Sequence, residues 1–280
     1  MAKGLALNIG LNAVNPRHYE GWKGELNACE ADANDMRDIG RARKLTVQSL
    51  LTKRATRSAV LGGLAKAAKA LKAGDLFFLT YSGHGGQVPD RNDDEPDAQD
   101  ETWCLYDGEL IDDELYTALG RFARGVRVLV LSDSCHSGTV RKNMFYASHG
   151  SPAGAGTSGK GAQPVRYRAM PREVALRTYR AHRAMYDRLQ KSVKPNAEES
   201  VAASVLLISG CQDNQLSQDG DFNGLFTGTL LRVWKEGQFQ GNYRRFHRSI
   251  VRGMPPDQTP NLLTTGAPNS AFEKQRPFTL

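Results

Sequence analysis

Cysteine is scarce in this 280-residue chain: there are four, Cys29, Cys104, Cys135 and Cys211, and no two stand in a CxxC spacing. That excludes a disulfide-dense scaffold and argues against a thiolate zinc site, while it suits a reducing compartment in which a thiol stays free. Long apolar runs are missing as well. No stretch reaches the ~18 consecutive apolar residues of a membrane span, and no basic-apolar leader opens the chain. The expectation is a cytoplasmic protein without a membrane partner. There is no internal repeat, and the one low-complexity stretch, 150–161, is rich in Gly, Ser and Ala and reads as a flexible loop.

What is present suffices for a folded enzyme. With 40% apolar residues the chain can bury one large core or two modest ones. Strand-like runs fall at Gly4 to Leu11, Leu45 to Leu51, Asp75 to Tyr81, Val126 to Ser132 and Ser204 to Ser209. Helical stretches fall at Ala28 to Arg43, Arg57 to Leu71, Asp112 to Phe122 and Leu225 to Lys235, and 172–191 reads as a further, basic helix. This alternation predicts an α/β fold, a mostly parallel sheet covered by helices on both faces. Such a sheet serves many functions and names none.

Two of the strand runs end in chemistry. Asp75-Leu-Phe-Phe-Leu-Thr-Tyr-Ser-Gly leads into His84, and Val126-Arg-Val-Leu-Val-Leu-Ser-Asp-Ser leads into Cys135. In an open parallel sheet, residues just past the strand ends collect at the carboxyl edge, where such folds build their sites. A thiol and an imidazole brought together there make a nucleophile for carbonyl carbon, because the imidazole accepts the thiol proton or stabilises the thiolate. The backbone N–H groups of Gly85 and Cys135 are the candidate donors to the oxyanion. Taken singly, Cys135 reads as a small core hydrophobe and His84 as a satisfied loop histidine; two such strand ends together favour the catalytic reading. His136 ranks below His84, since a side chain next to the nucleophile points elsewhere.

Tyr81-Ser-Gly-His84-Gly and Asp133-Ser-Cys135-His-Ser-Gly resemble the histidine and cysteine blocks of the metacaspases and their bacterial, orthocaspase-type relatives among the caspase-like cysteine proteases. The 51-residue separation, histidine first, matches the caspase arrangement of about 50 residues. The animal-caspase Gln-Ala-Cys signature is absent, which points away from aspartate specificity. Leu26-Asn-Ala-Cys29-Glu-Ala-Asp32 is similar to the segment that lines the S1 pocket. Ala203-Ser-Val-Leu-Leu-Ile-Ser-Gly-Cys211, Phe222-Asn-Gly-Leu-Phe-Thr-Gly and Gln258-Thr-Pro-Asn-Leu are similar to the small-subunit half. The resemblance implies a caspase-haemoglobinase fold with about six strands, in one catalytic domain over 1–280. Within it, 1–140 is the large part carrying the dyad, 141–200 a basic variable linker and 201–280 the small part. It implies an S1 pocket built from Cys29, Asp32, Ser82 and Asp133, and no organic cofactor. A carboxylate-lined pocket prefers a cation, so the expected substrates are proteins or peptides cut after Arg, and after Lys less efficiently. Asp133 also has a purely structural reading, and Asp32 also reads as a first-turn helix acid.

Charge is unevenly spread. The net charge is +7, yet 141–194 holds 12 Lys or Arg against two acids, leaving 25 basic and 28 acidic residues elsewhere. Basicity this local makes nucleic acid an unlikely partner for the chain as a whole. Arg141, Lys142, Lys160, Arg166 and Arg168 lie where an Arg-specific enzyme can reach them, so each is a candidate for self-cleavage. Conversely, 90–114 holds twelve acids and one base, Arg91. Crowded carboxylates raise each other's pKa, a cost that calcium removes. By resemblance to calcium-dependent metacaspases, Asp100, Asp112 and Asp113 are the matching positions. A solvated acidic loop, with Asp112 and Asp113 opening a helix at its positive end, is the competing reading. The resemblance further implies a monomer and a switched effector in stress, cell death or antiphage defence, gated by calcium, processing, a partner or a nucleotide-derived small molecule. The rival class is a basic interaction module of caspase-like fold that binds an anionic partner without turnover.

Overall fold

Strand β3 (Leu76–Ser82) sets the architecture, because all seven of its residues are buried. Period-2 alternation sends Phe77, Leu79 and Tyr81 to one face and Leu76 and Phe78 to the other, so both faces need a cover. The computed structural model describes residues 2–91, 98–134, 166–193, 197–211 and 217–280. In it β3 lies inside a six-stranded sheet with β1 (Gly4–Gly10), β2 (Thr46–Leu51), β7 (Arg127–Asp133), β8 (Ser204–Ser209) and β9 (Asn261–Gly266). The order is β2-β1-β3-β7-β8-β9. The first five strands are parallel, and β9 closes the edge antiparallel to β8. This is the α/β caspase-haemoglobinase arrangement that the sequence led us to expect.

One face of the sheet buries Leu7, Ile9, Phe77, Leu79, Val128 and Val130 under helices α2 (Arg57–Ala70) and α3 (Asp112–Leu119). The other buries Ala6, Phe78, Leu129, Leu131, Leu206 and Ile208 under α1 (Cys29–Ala42), α6 (Leu225–Trp234) and α7 (Tyr243–Arg252), with the short α8 (Ser270–Lys274) adding Phe272. Each large side chain so enclosed is worth roughly 1.5–3 kcal/mol of transfer free energy, which is what holds the carboxyl edge of the sheet rigid.

A second, three-stranded antiparallel sheet follows β3 directly: β4 (Gly85–Pro89), β5 (Gln99–Leu105) and β6 (Gly108–Ile111). The sequence reading missed these strands. The basic helix expected over 172–191 is two helices, α4 (Arg172–Ala181) and α5 (Arg183–Ser192), joined at His182. They pack on the small sheet through Val174, Ala175, Tyr179 and Tyr186. His182 stacks on His18 with ring centroids 4.0 Å apart. No helix among the described residues is long and apolar enough to cross a membrane.

Candidate active site

Register brings the two strand ends level. Ser82, the last residue of β3, pairs with Asp133, the last of β7. His84 therefore follows its strand by the same two residues that separate Cys135 from Asp133. Cys135 itself lies outside the described residues, as do the self-cleavage candidates Arg141, Lys142 and Lys160.

His84 is buried against Trp22, ring centroids 4.7 Å apart. Its Nε2 stands 3.2 Å from the carbonyl oxygen of Gly24. A carbonyl only accepts, so Nε2 carries the proton and Nδ1 keeps its lone pair. Among the described residues Nδ1 has no hydrogen-bond partner. Burial lowers the imidazole pKa to about 4, with the Gly24 carbonyl acting in the opposite direction. A neutral ring with its acceptor nitrogen unused is the form a general base needs. The loop is held from below, where the Tyr81 hydroxyl donates to the His84 carbonyl at 2.7 Å and the Tyr81 ring lies flat on Trp103.

Asp32 and Asp133, the acids expected to line a pocket, converge on one buried side chain, that of Arg168. The Arg168 side chain has no solvent exposure, and its guanidinium meets Asp32 at 2.7 Å, Asp133 at 2.8 Å and Asp219 at 3.0 Å. Burial alone would pull its pKa down. The carboxylate of Asp133 first, and the groups around it, hold it well above the ordinary value. Each acid is further braced. Asp32 accepts from the Ser82 hydroxyl at 2.8 Å, from Asn223 at 2.9 Å and from the Gly224 N–H at 3.1 Å. Asp133 accepts from the hydroxyls of Ser217 at 2.6 Å and Thr227 at 3.0 Å. Burial pushes the Asp133 carboxyl above its usual range, and Arg168 pulls against it. Cys29 is buried within the field of Arg168, its thiol pushed up to about 12 by burial, so it is a neutral wall.

Asp219, Ser217, Asn223, Gly224 and Thr227 were not assigned from sequence. The Phe222-Asn-Gly-Leu-Phe-Thr block was noticed, but nothing in its composition says that it wraps an arginine. Gly224 is required there, because a Cβ at that position would come within 2.5 Å of an Arg168 nitrogen.

The backbone around Arg168 is as ordered as its side chain. The Arg168 N–H donates to the Ser217 carbonyl at 3.0 Å, Tyr167 bridges antiparallel to Gln218, and the Asp219 N–H donates to the Arg166 carbonyl at 2.9 Å. The Arg168 carbonyl accepts from the Gly85 N–H at 3.0 Å, and beyond it the Met170 N–H donates to the Gly85 carbonyl at 2.8 Å. Residues 166–170 thus lie as an added strand across the carboxyl edge, the mode by which extended peptides are recognised. Arg166 differs from Arg168: it is exposed and reaches Asn27 at 3.2 Å.

The candidate calcium residues lie on the small sheet and α3 and are not among the acids that meet Arg168. Asp112 and Asp113 open α3, as the competing reading anticipated, but Asp100 is buried on β5 and not on a solvated loop. Burial, then the charges of Asp100, Asp113 and Glu101, lifts the Asp112 carboxyl well above its usual range. A cation would relieve that repulsion, but no group of three or more ligating side chains is assembled among the described residues.

Comparison with known proteins agrees with this geometry. The family model for the caspase domain matches residues 3–277. Metacaspase-1A of Aspergillus fumigatus is 31% identical over 253 residues, covering 81% of this chain and 59% of that protein. Metacaspase-1 of Ajellomyces capsulatus is 30% identical over 256 residues, covering 81% and 68%. The chain thus spans about 59% of the length of the first of these relatives. A crystal structure of protein GSU0716 from Geobacter sulfurreducens superposes with a TM-score of 0.89 at 62% identity, covering 99% of this chain and 98% of that one. By the match of the caspase domain model over residues 3–277 and the likeness to Metacaspase-1, the chain belongs to the caspase domain family, and within it to the metacaspase type.

Proposed function

We propose that the protein is a cysteine endopeptidase that cuts after arginine, and after lysine less efficiently, with Cys135 as nucleophile and His84 as its base. One observation carries the reading: Arg168 holds its guanidinium among Asp32, Asp133 and Asp219 while its carbonyl oxygen meets the Gly85 N–H. That is the posture of a substrate's P1 residue. Lysine would bring the same charge without the planar fork that contacts three carboxylates at once.

His84 Nδ1 takes the thiol proton, and the Cys135 sulfur attacks the carbonyl carbon. The oxygen, now negative, is met by the Gly85 N–H and by the Cys135 amide. As the C–N bond breaks, the imidazolium returns its proton to the leaving amine, and a thioester remains. His84 then deprotonates a water, which attacks the thioester and releases the new carboxylate and the thiol. Gly24 keeps the ring in the required tautomer throughout. No organic cofactor enters.

Self-processing after Arg168 is part of the same reading, and of the two candidates among the described residues, Arg166 and Arg168, it is the one seated in the pocket. Cutting there would divide the linker over 141–200 between the large part over 1–140 and the small part over 201–280, while the sheet still joins β7 to β8. Intact-mass analysis of purified wild type, Cys135→Ala and Arg168→Ala tests this. Fragments 1–168 and 169–280 in wild type alone support it. An uncut wild type, or a cut that survives Cys135→Ala, contradicts it.

A further inference from the structure

Met170, two residues beyond Arg168, has no solvent exposure although its segment crosses the surface of the sheet edge. Its side chain enters an apolar cluster with Val14, Tyr19 and Cys104 from the body of the protein, and with Val174 and Ala175 from α4. The end of the side chain packs on the bare backbone of Gly86: a Cβ there would come within 2.6 Å of the Met170 methyl carbon. Backbone pairing fixes which side chain is delivered. Gly85 receives Arg168 and holds Met170 through its own carbonyl, so Ala169 faces away and the next residue points inward.

We propose that Gly86, Val14, Tyr19 and Cys104 form an S2′ subsite that selects an apolar side chain at the second position after the scissile bond. This rests on Arg168 being a P1 residue. The walls carry no charge to offer a partner. The Tyr19 hydroxyl is already donated to the Leu105 carbonyl at 2.7 Å, and burial keeps the Cys104 thiol protonated. The acid beside Gly86, the Glu109 carboxyl, accepts from the Thr102 hydroxyl at 2.6 Å. An Asp or Glu side chain brought here would be desolvated beside another acid, a cost the enzyme recovers nowhere. The preferred substrate is therefore Arg followed by a small residue and then Met or Leu. The substrate class is narrower than the acidic pocket alone implies.

The test uses the full-length protein and internally quenched peptides that share Tyr-Arg-Ala-X and differ only at X. A P1-arginine amide fluorophore that ends at the scissile bond is run beside them. For X as Met or Leu, kcat/KM exceeds that for Asp or Gly by about 10-fold or more, the range over which an apolar pocket discriminates. Equal values at every X, with cleavage after Arg persisting in both substrate types, overturn the S2′ subsite and leave the arginine reading standing. No cleavage after Arg in either substrate type overturns both.

Discussion

Replacing Arg168 with alanine, in a Cys135→Ala background so that no cleavage intervenes, separates the pocket from the reaction. The substitution leaves Asp32, Asp133 and Asp219 facing an empty space from which their 2.7, 2.8 and 3.0 Å partners have gone. Breaking a buried ion pair by removing one member costs about 3–5 kcal/mol, and with no solvent exposure at Arg168 there is little screening to reduce it. The loss depends on pH in a defined sense. Burial already pushes the Asp133 carboxyl above its usual range, and without Arg168 to pull against it that carboxyl is neutral and cheap in acid, so the penalty grows as pH rises. Urea denaturation at pH 5 and pH 8 therefore gives a larger deficit at pH 8. The pocket should also be refillable: an arginine-terminated peptide or agmatine at ~100 times its Kd restores about 2.7 kcal/mol to Arg168→Ala and little to the parent, whose pocket is occupied. A deficit below ~1 kcal/mol, the median value of an exposed pair, with no response to agmatine would refute the burial of this arginine among three acids.

Two further outcomes follow from the same geometry. Asp32→Asn keeps the shape of the pocket and removes one charge-assisted partner, so kcat/KM for a P1-arginine amide falls about 10- to 100-fold; an unchanged value would place P1 elsewhere. Glu109 is raised from 4.5 to about 7 by burial, against the Thr102 hydroxyl, so between those values the folded chain holds a proton that the unfolded chain has released, and stability declines as pH rises. At about 1.36 kcal/mol per pKa unit, Glu109→Gln should be more stable than wild type by about 3 kcal/mol at pH 8 and no different near pH 4, by urea titration; parallel profiles would contradict it.

The central sheet was legible because a strand covered on both faces is written as a continuous apolar run, and β1, β3, β7 and β8 all are. His84, Ser82, Asp32 and Asp133 were legible as the residues that end those runs or open α1, joined to a family pattern. The small sheet was not. In β5, Asp100 and Thr102 are among the buried positions, so polar residues stand where an apolar alternation was sought. Helix α7 hid Tyr243, Phe246 and Ile250 among five arginines and histidines, although their spacing is that of a single helical face. The second half of the pocket, Ser217 to Thr227, draws its contacts mostly from Ser, Asn, Asp and Gly, the residues of a turn, and only the fold reveals that these groups converge around one guanidinium. Sequence also could not rank Arg168 above Arg166, since two residues separate an exposed side chain from one that is wholly enclosed.

Release of a fluorophore from peptides ending in Arg, Lys or Asp, by wild type and by Cys135→Ala, each with calcium and with a chelator, tests the central claim most directly. The account predicts cleavage after Arg, weaker cleavage after Lys, none after Asp, and none at all without the Cys135 thiol. Cleavage after Asp, or cleavage after Arg that survives Cys135→Ala, would contradict it.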